Sequence, residues 1–468
     1  MAVDNALLPR FGGPMGRHAK PRGLWFNPLP WAMLAATLTF LVLFLRHLPC
    51  LQTDADNAIN SYIRLCYSDI QSSFLGQEFA LGTPALGGEQ MLFSPLVAVA
   101  ITMATQASRL MGSVGPGQTL QQQIDTSTAF FGWTALGLFL CFLVTAASFA
   151  WLGRRGDGRS WDSLLIAGSP IVLAAGLISW ELLPLALTAL GLVQFARRRL
   201  FEAGIVLGLA ASAGTMPIAI ILAVLVAAGL RGGAVTALKF FLPAVVTVVG
   251  VHAPLLLDDV GAVYGYYHQE INKEAGYGSL WYLFSLGGWE TRHTGSLAFA
   301  ILMLVLGLLV AYLYTARKRP RVGSLIAVIV LLTVLLGPAY PPQTSLWVLL
   351  AVMLARPYKV ELIAVTVTEV GYYLAIWGWL AGSLTSAQQG PYGLYWLAII
   401  LRASIQGLVA WEALSDIVRP GRDELRTPDQ PDPIGGVLND DEFAAHVGSE
   451  DSPQDAEPVA ATTGAELS

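Results

Sequence analysis

Five consecutive residues, Cys66-Tyr67-Ser68-Asp69-Ile70, hold the carboxylate best suited to chemistry in this chain. They lie in the loop after the first long apolar run, residues 31–48. A carboxylate held at a membrane surface, beside a segment that dips back toward lipid, can accept a proton from a hydroxyl nucleophile. Groups able to assist it come from three later segments. Glu181 follows Trp180; His268, Lys273, Trp281, Arg292 and His293 fall within 257–295; Tyr340 and Gln343 bracket Pro341-Pro342. Aromatic rings can cover sugar faces, and Arg, Lys or His can neutralise a phosphate. The plainer reading is an interfacial aromatic belt with solvated charges.

These residues matter only if a membrane holds them on one side, and composition supplies the membrane. The chain has 468 residues, 54% hydrophobic and 13% charged, against about 25% charged in soluble domains. Its mean hydropathy is +0.58. Apolar stretches recur from 31–48 to 395–414, as expected of many helices that each satisfy their own backbone in lipid. So apolar a body excludes nucleic acid as a partner and makes membrane lipid the surrounding medium. The first run follows polar sequence and lacks a small-residue cleavage site, so it reads as a retained anchor.

Basic clusters orient the spans, because Arg and Lys concentrate in cytoplasmic loops. They occur at Arg10 to Arg22, Arg154 to Arg159, Arg197 to Arg199, Arg231, Arg317 to Arg321, Arg356 with Lys359, and Arg419 with Arg422. Keeping every cluster inside requires an even number of crossings between neighbours. About twelve helices satisfy this, near 29–49, 129–152, 163–179, 181–196, 203–214, 216–230, 235–256, 296–315, 324–337, 344–355, 360–382 and 393–415. The expected organisation is a cytoplasmic segment 1–28, a transmembrane domain 29–419, and a tail 420–468. Outer loops fall at 51–128 and 257–295, and both termini lie in the cytoplasm of a plasma-membrane protein. Gly214-Thr215-Met216-Pro217 breaks an apolar stretch, so two short helices facing a cavity are expected there rather than one tilted helix. The apolar segment 91–111 is read as an interfacial helix, since a span there would put Arg154 outside.

From Asp423 onward the chain carries twelve Asp/Glu against one Arg, and such composition predicts disorder. Glu369 and Arg402 fall inside predicted spans, where a lone ionised group costs about 2.5–3.5 kcal/mol; a structural pair across adjacent helices is expected. Cys50 and Cys66 both fall outside and either pair or leave Cys66 free. No cofactor or metal is implied: there is no His/Cys spacing for a metal, no phosphate-binding glycine loop and no dinucleotide fingerprint.

Beyond these readings, the chain resembles the actinobacterial polytopic glycosyltransferases of family 87 (DUF2029-like), within the GT-C superfamily. The matching pieces are Cys66-Tyr67-Ser68-Asp69-Ile70 with Gly82-Thr83-Pro84, Trp180-Glu181-Leu182-Leu183, and Gly278-Ser279-Leu280-Trp281-Tyr282. Ala196-Arg197-Arg198-Arg199, residues 204–211, Tyr340-Pro341-Pro342-Gln343, residues 369–377, and Arg402 with Asp416-Ile417-Val418-Arg419-Pro420 complete them. The resemblance implies an all-α GT-C-like bundle of about twelve helices with interfacial helices in its first outer loop. It also implies a polyprenyl-phosphate sugar donor, an envelope glycolipid or glycan acceptor, and Asp69 as base. The chain departs from the family where a lysine turn becomes Gly214-Thr215-Met216-Pro217, an Asn-Trp-Asp becomes Ser179-Trp180-Glu181, and an Arg-Gly pair becomes Gln77-Glu78.

Three functions compete. The first is a mannosyltransferase with Asp69 as base, Arg292, His293 or Lys273 near the phosphate, and Glu181 as a second acid. The second is a catalytically degenerate scaffold or regulator bound to envelope-synthesis proteins. The third is a lipid or solute transporter, which a broken helix suits but the lack of matched inverted halves does not.

Overall fold

The computed structural model describes residues 27–56, 59–86, 91–112, 114–153, 159–289, 293–384, 393–423, 425 and 432–439. The expected cytoplasmic segment 1–28 lies almost wholly outside them, as do Arg154, Arg155, Arg292 and the end of the tail. The chain is all-α, with no β-strand among the described residues. Helices α1 (Pro28–Leu51), α2 (Asp69–Gly76), α3 (Pro95–Ser108), α4 (Leu120–Gly153), α5 (Ser163–Ala167), α6 (Pro170–Ala175), α7 (Leu182–Ala196) and α8 (Leu200–Ala213) form its first half. Then follow α9 (Met216–Asp258), α10 (Val260–Ile271), α11 (Leu280–Leu286), α12 (Thr294–Thr315), α13 (Val322–Leu336), α14 (Ser345–Ala355), α15 (Lys359–Leu380) and α16 (Gly393–Val418). Six of these, α1, α4, α9, α12, α15 and α16, are long and apolar enough to cross a membrane.

Shorter apolar helices fill the interior. Every residue of α14 is buried, and so are the first ten of α13. Helices this short cannot span a bilayer upright, which takes about 20 residues. Packed inside protein, they need not meet lipid at their ends. The rim is lipid-like by contrast: on α12, Leu304 and Leu308 are 62% and 63% exposed.

The two ends of the bundle differ in charge. At one end Arg231 meets Asp432 at 3.3 Å, Arg321 meets Asp423 at 3.0 Å, and Arg356 pairs with Glu361 at 2.9 Å and with Asp416. Lys318 donates to the Val418 carbonyl there, at 2.8 Å. Most basic clusters read from the sequence therefore gather at a single end. The first loop and the segments around Glu181 and Gln343 lie at the other, one length of α7 away, about 22 Å at 1.5 Å per residue.

The structure differs from the sequence reading in three places. A single helix was expected over 163–179, but two short ones form. Pro170 brings no amide proton, Ser169 caps α6 by accepting from the Ile171 amide at 3.2 Å, and α6 stops at Gly176. The helices expected at 216–230 and 235–256 run on as α9, broken only at Gly233, whose φ of 75° is left-handed. Such a φ suits glycine because it has no Cβ to clash. The tail was expected to be disordered from residue 420, yet residues 432–439 pack against the basic end. Asp432 Oδ2 accepts from the Val322 amide at 2.9 Å, and Leu438 is fully buried. Two acids and an apolar anchor with specific partners outweigh the average composition of the stretch. By contrast, the expected break at Gly214 is present, between α8 and α9.

Candidate active site

The first loop is fastened before it reaches Asp69. Cys50 and Cys66 form a disulfide across 16 residues, tying the loop to the end of α1. The Tyr373 hydroxyl donates to the Leu65 carbonyl at 3.1 Å. Ser68 then caps α2, accepting from the Ile70 amide at 3.2 Å while donating to the Leu177 carbonyl at 2.6 Å. The Asp69 amide donates to the Ile178 carbonyl at 2.7 Å. Behind it Ile70 and Phe74 are fully buried, and Phe74 stacks on Phe130 of α4 at 4.4 Å. The carboxylate is thus held on a rigid, eight-residue helix at its N-terminal end, where the helix dipole favours negative charge.

Asp69 faces a small set of polar partners. Gln343 Nε2 donates to Asp69 Oδ2 at 3.4 Å, and the Tyr67 hydroxyl also bonds the carboxylate. Burial holds the Asp69 carboxyl above the usual carboxylate range, and the Tyr67 hydrogen bond partly offsets this by stabilising the charged form. A raised carboxyl is a stronger base once ionised, which is the property proton abstraction needs. Burial, with the Asp69 charge adding to it, pushes the Tyr67 phenol up, so Tyr67 remains a donor at neutral pH.

Three residues beyond Ile178, Glu181 supplies a second carboxylate near this end of the bundle. Its Oε2 accepts from the Trp347 indole at 2.7 Å, an anchor supplied by α14. Lys273 and Glu270 both act electrostatically on Glu181. They pair with each other at 2.6 Å at the end of α10, and Lys273 stays 47% exposed. Tyr266, one turn before Glu270, feels both carboxylates and shares a hydrogen bond with Ser94 of the first loop. Asp69 with Gln343, and Glu181 with Lys273, thus form two polar groups drawn from four separate parts of the chain, and the bond from the Asp69 amide to the Ile178 carbonyl ties one to the segment that carries the other.

Other residues singled out in the sequence stand elsewhere. The Tyr340 hydroxyl donates to Glu369 Oε1 at 2.8 Å, deep in the bundle, where Glu369 also meets Arg402 Nε at 2.8 Å. Trp281 spends its indole proton on the Leu336 carbonyl at 2.9 Å. His268 is exposed on α10 with its ring 5.5 Å from Tyr264, and His293 is exposed at the start of α12. Arg292 lies outside the described residues. Among the described residues no cluster of His, Cys, Asp and Glu could hold a metal.

Sequence reasoning gave no role to Tyr67, Trp347 or Tyr266. Tyr67 was within reach, since it precedes Asp69 in the same short motif. Trp347 carries no local signal, because it meets Glu181 across 166 residues.

The likeness to family 87 is borne out: the profile of glycosyltransferase family 87 matches residues 119–338. That match indicates a glycosyltransferase. It spans α4 to α13, taking in Glu181 and Lys273 but not Asp69 or Gln343. No curated protein matches the chain.

Proposed function

We propose that this protein transfers mannose from a polyprenyl-phosphate donor to an envelope glycolipid or glycan, on the outer face of the plasma membrane, with both termini cytoplasmic. The basic end of the bundle supports that orientation, because positively charged loops stay in the cytoplasm. Nucleotide sugars are cytoplasmic, so a site at the opposite end calls for a lipid-linked donor. The observation that carries the reading is Asp69: a carboxyl raised by burial, fixed on a capped helix, and hydrogen-bonded by Tyr67 and Gln343.

Asp69 takes the proton of the acceptor hydroxyl as that oxygen attacks the anomeric carbon. The bond from that carbon to the phosphate oxygen breaks, and polyprenyl phosphate leaves with the electron pair. The leaving phosphate is a stable anion, so no separate general acid is required. Lys273 offsets its developing charge, and Glu181 orients donor hydroxyls from its fixed place on Trp347.

The test is Asp69→Asn assayed for transfer in membranes. The variant should fold, and its rate should fall about 10²–10⁴-fold, the usual worth of a positioned base. Unchanged transfer by a correctly folded variant would refute the role. A second reading, a scaffold that no longer catalyses, is favoured by the Lys273–Glu270 pair, which occupies the cation. Under that reading Asp69→Asn leaves partner binding and cell-envelope composition intact.

A further inference from the structure

Beside Asp69 lies a group of rings that the roles above do not use. Tyr62, Tyr67 and Trp377 have centroids 5.0, 5.5 and 5.3 Å apart, a nearly equilateral triangle. Tyr62 lies stacked against both others, with interplanar angles of 27° and 23°. Were Tyr67 and Trp377 on opposite faces of Tyr62, their separation would approach the sum of the other two distances. It does not, so Tyr67 and Trp377 do not sandwich Tyr62 between them. Tyr62 is accordingly only partly buried. Tyr277 approaches from another loop and is 44% exposed. Both Tyr277 and Asp69 act on the Tyr62 hydroxyl, which burial, more than either, holds above its ordinary range.

The platform is stiff. Asn60 accepts from the Tyr62 amide at 3.1 Å, the Cys50–Cys66 disulfide closes the loop, and Trp377 behind it is buried. A flat, partly wet aromatic face next to a base suits an uncharged ring with apolar C–H faces and free hydroxyls, which is a saccharide. A phosphate-bearing donor belongs by charge with Lys273, which stands within reach of Glu181.

The geometry points to Tyr62, with Tyr277 beside it, as the platform on which the acceptor's sugar ring stacks while its hydroxyl meets Asp69. This assignment rests on the transferase reading for its purpose but not for the binding itself. An acceptor held on Tyr62 and a phosphate held at Lys273 use different residues, so the two substrates do not compete for one subsite.

The experiment uses the full-length protein in lipid nanodiscs, with octyl mannoside, octyl glucoside and octyl galactoside as acceptor probes. Binding is followed by saturation-transfer NMR and transfer by product formation from polyprenyl-phosphate mannose. Tyr62→Ala should raise the acceptor KM about tenfold, the equivalent of one lost stacking contact. The donor KM should stay unchanged, and saturation of the glycoside ring protons should be lost. Tyr62→Phe, which keeps the ring, should behave as wild type. Saturation by wild type that Tyr62→Ala abolishes, without transfer by either, upholds the platform and removes the transferase reading. Transfer that proceeds with an unaltered acceptor KM in Tyr62→Ala overturns the platform alone. Wild type that saturates none of the three glycosides, or Tyr62→Phe as damaging as Tyr62→Ala, also overturns it.

Discussion

Removing Glu369 should damage this protein more than removing Glu369 and Arg402 together. The pair meets at 2.8 Å with both side chains 1% exposed, so neither charge has recourse to water. The Arg402 guanidinium also donates to the Tyr340 carbonyl at 2.8 Å and lies 3.2 Å from the centre of that residue's ring. Gln406 donates to both the Tyr340 hydroxyl and Glu369. Glu369→Ala leaves the guanidinium buried without its counter-charge, which costs about 3–5 kcal/mol for a pair this dry. Glu369→Leu combined with Arg402→Met removes both charges and refills the volume. Such exchanges are neutral to favourable by about 1–4 kcal/mol, and the lost bond to the Tyr340 carbonyl gives back about 1–3 kcal/mol. At the middle of these ranges the double variant should therefore stand about 4 kcal/mol above the single one. Thermal unfolding in nanodiscs, read by tryptophan fluorescence at matched lipid composition, measures the difference. Equal midpoints for the two variants would refute the reasoning, because the stranded charge would then carry no penalty.

Tyr67→Phe keeps the stacked ring but deletes the hydrogen bond that stabilises the Asp69 carboxylate, so the Asp69 carboxyl rises further. A base works only when ionised, and activity is lost as pH falls through its pKa. The acid limb of the pH–rate profile should therefore move to higher pH, with the plateau above it retained; a limb that stays or moves down counts against Asp69 as base. Cys66→Ser opens a closure of 16 residues, and losing such a crosslink costs about 3 kcal/mol. The variant should expose the first loop to protease and lower transfer, whereas Cys141→Ser should do neither. Asp432→Ala removes the acid that holds Arg231 and the Val322 amide. It should lower stability by about 3–5 kcal/mol, the cost of stranding a buried arginine, and free residues 432–439 to protease, with the acceptor KM unmoved because the site is at the far end.

Local signals made most of the fold legible. Gly214-Thr215-Met216-Pro217 marks the turn between α8 and α9, and Tyr340-Pro341-Pro342-Gln343 marks the entry to α14. Each combines a missing amide donor with apolar runs on both sides. The site was legible in one residue out of each converging segment and no further. Asp69 stood in a motif, and Glu181 and Gln343 stood at helix starts, but nothing local says that Gln343 reaches Asp69 across 274 residues. Tyr340 shows the limit. It shares a turn with Gln343, yet its side chain points into the bundle toward Glu369, because the buried carboxylate needs donors more than the cleft needs another ring. The tail misled for a different reason: an average over many acids hides the two, Asp423 and Asp432, that each have an arginine waiting.

What ties fold to site is a helix that ends early. After α6 stops at Gly176, the Ala175 carbonyl still accepts from the Ile178 amide at 3.2 Å, while those of Leu173, Ala174, Leu177 and Ile178 turn to donors from elsewhere, as buried carbonyls must. A Cβ at position 176 would lie 2.8 Å from the Val172 carbonyl and 2.9 Å from Leu43, so the chain can turn there only as glycine. Arg46 from α1 takes the Leu173 and Ala174 carbonyls, the second at 3.2 Å. Ser68 and the Asp69 amide take Leu177 and Ile178. The first loop thus docks by completing a helix terminus, and this docking fixes Asp69 to the segment that three residues later presents Glu181. A full-length helix over 163–179 would satisfy its own carbonyls and offer the loop nothing to bind. The break announced by Gly168-Ser169-Pro170 and enforced at Gly176 is therefore the feature that fastens the Asp69 and Glu181 carboxylates to one segment at this end of the bundle.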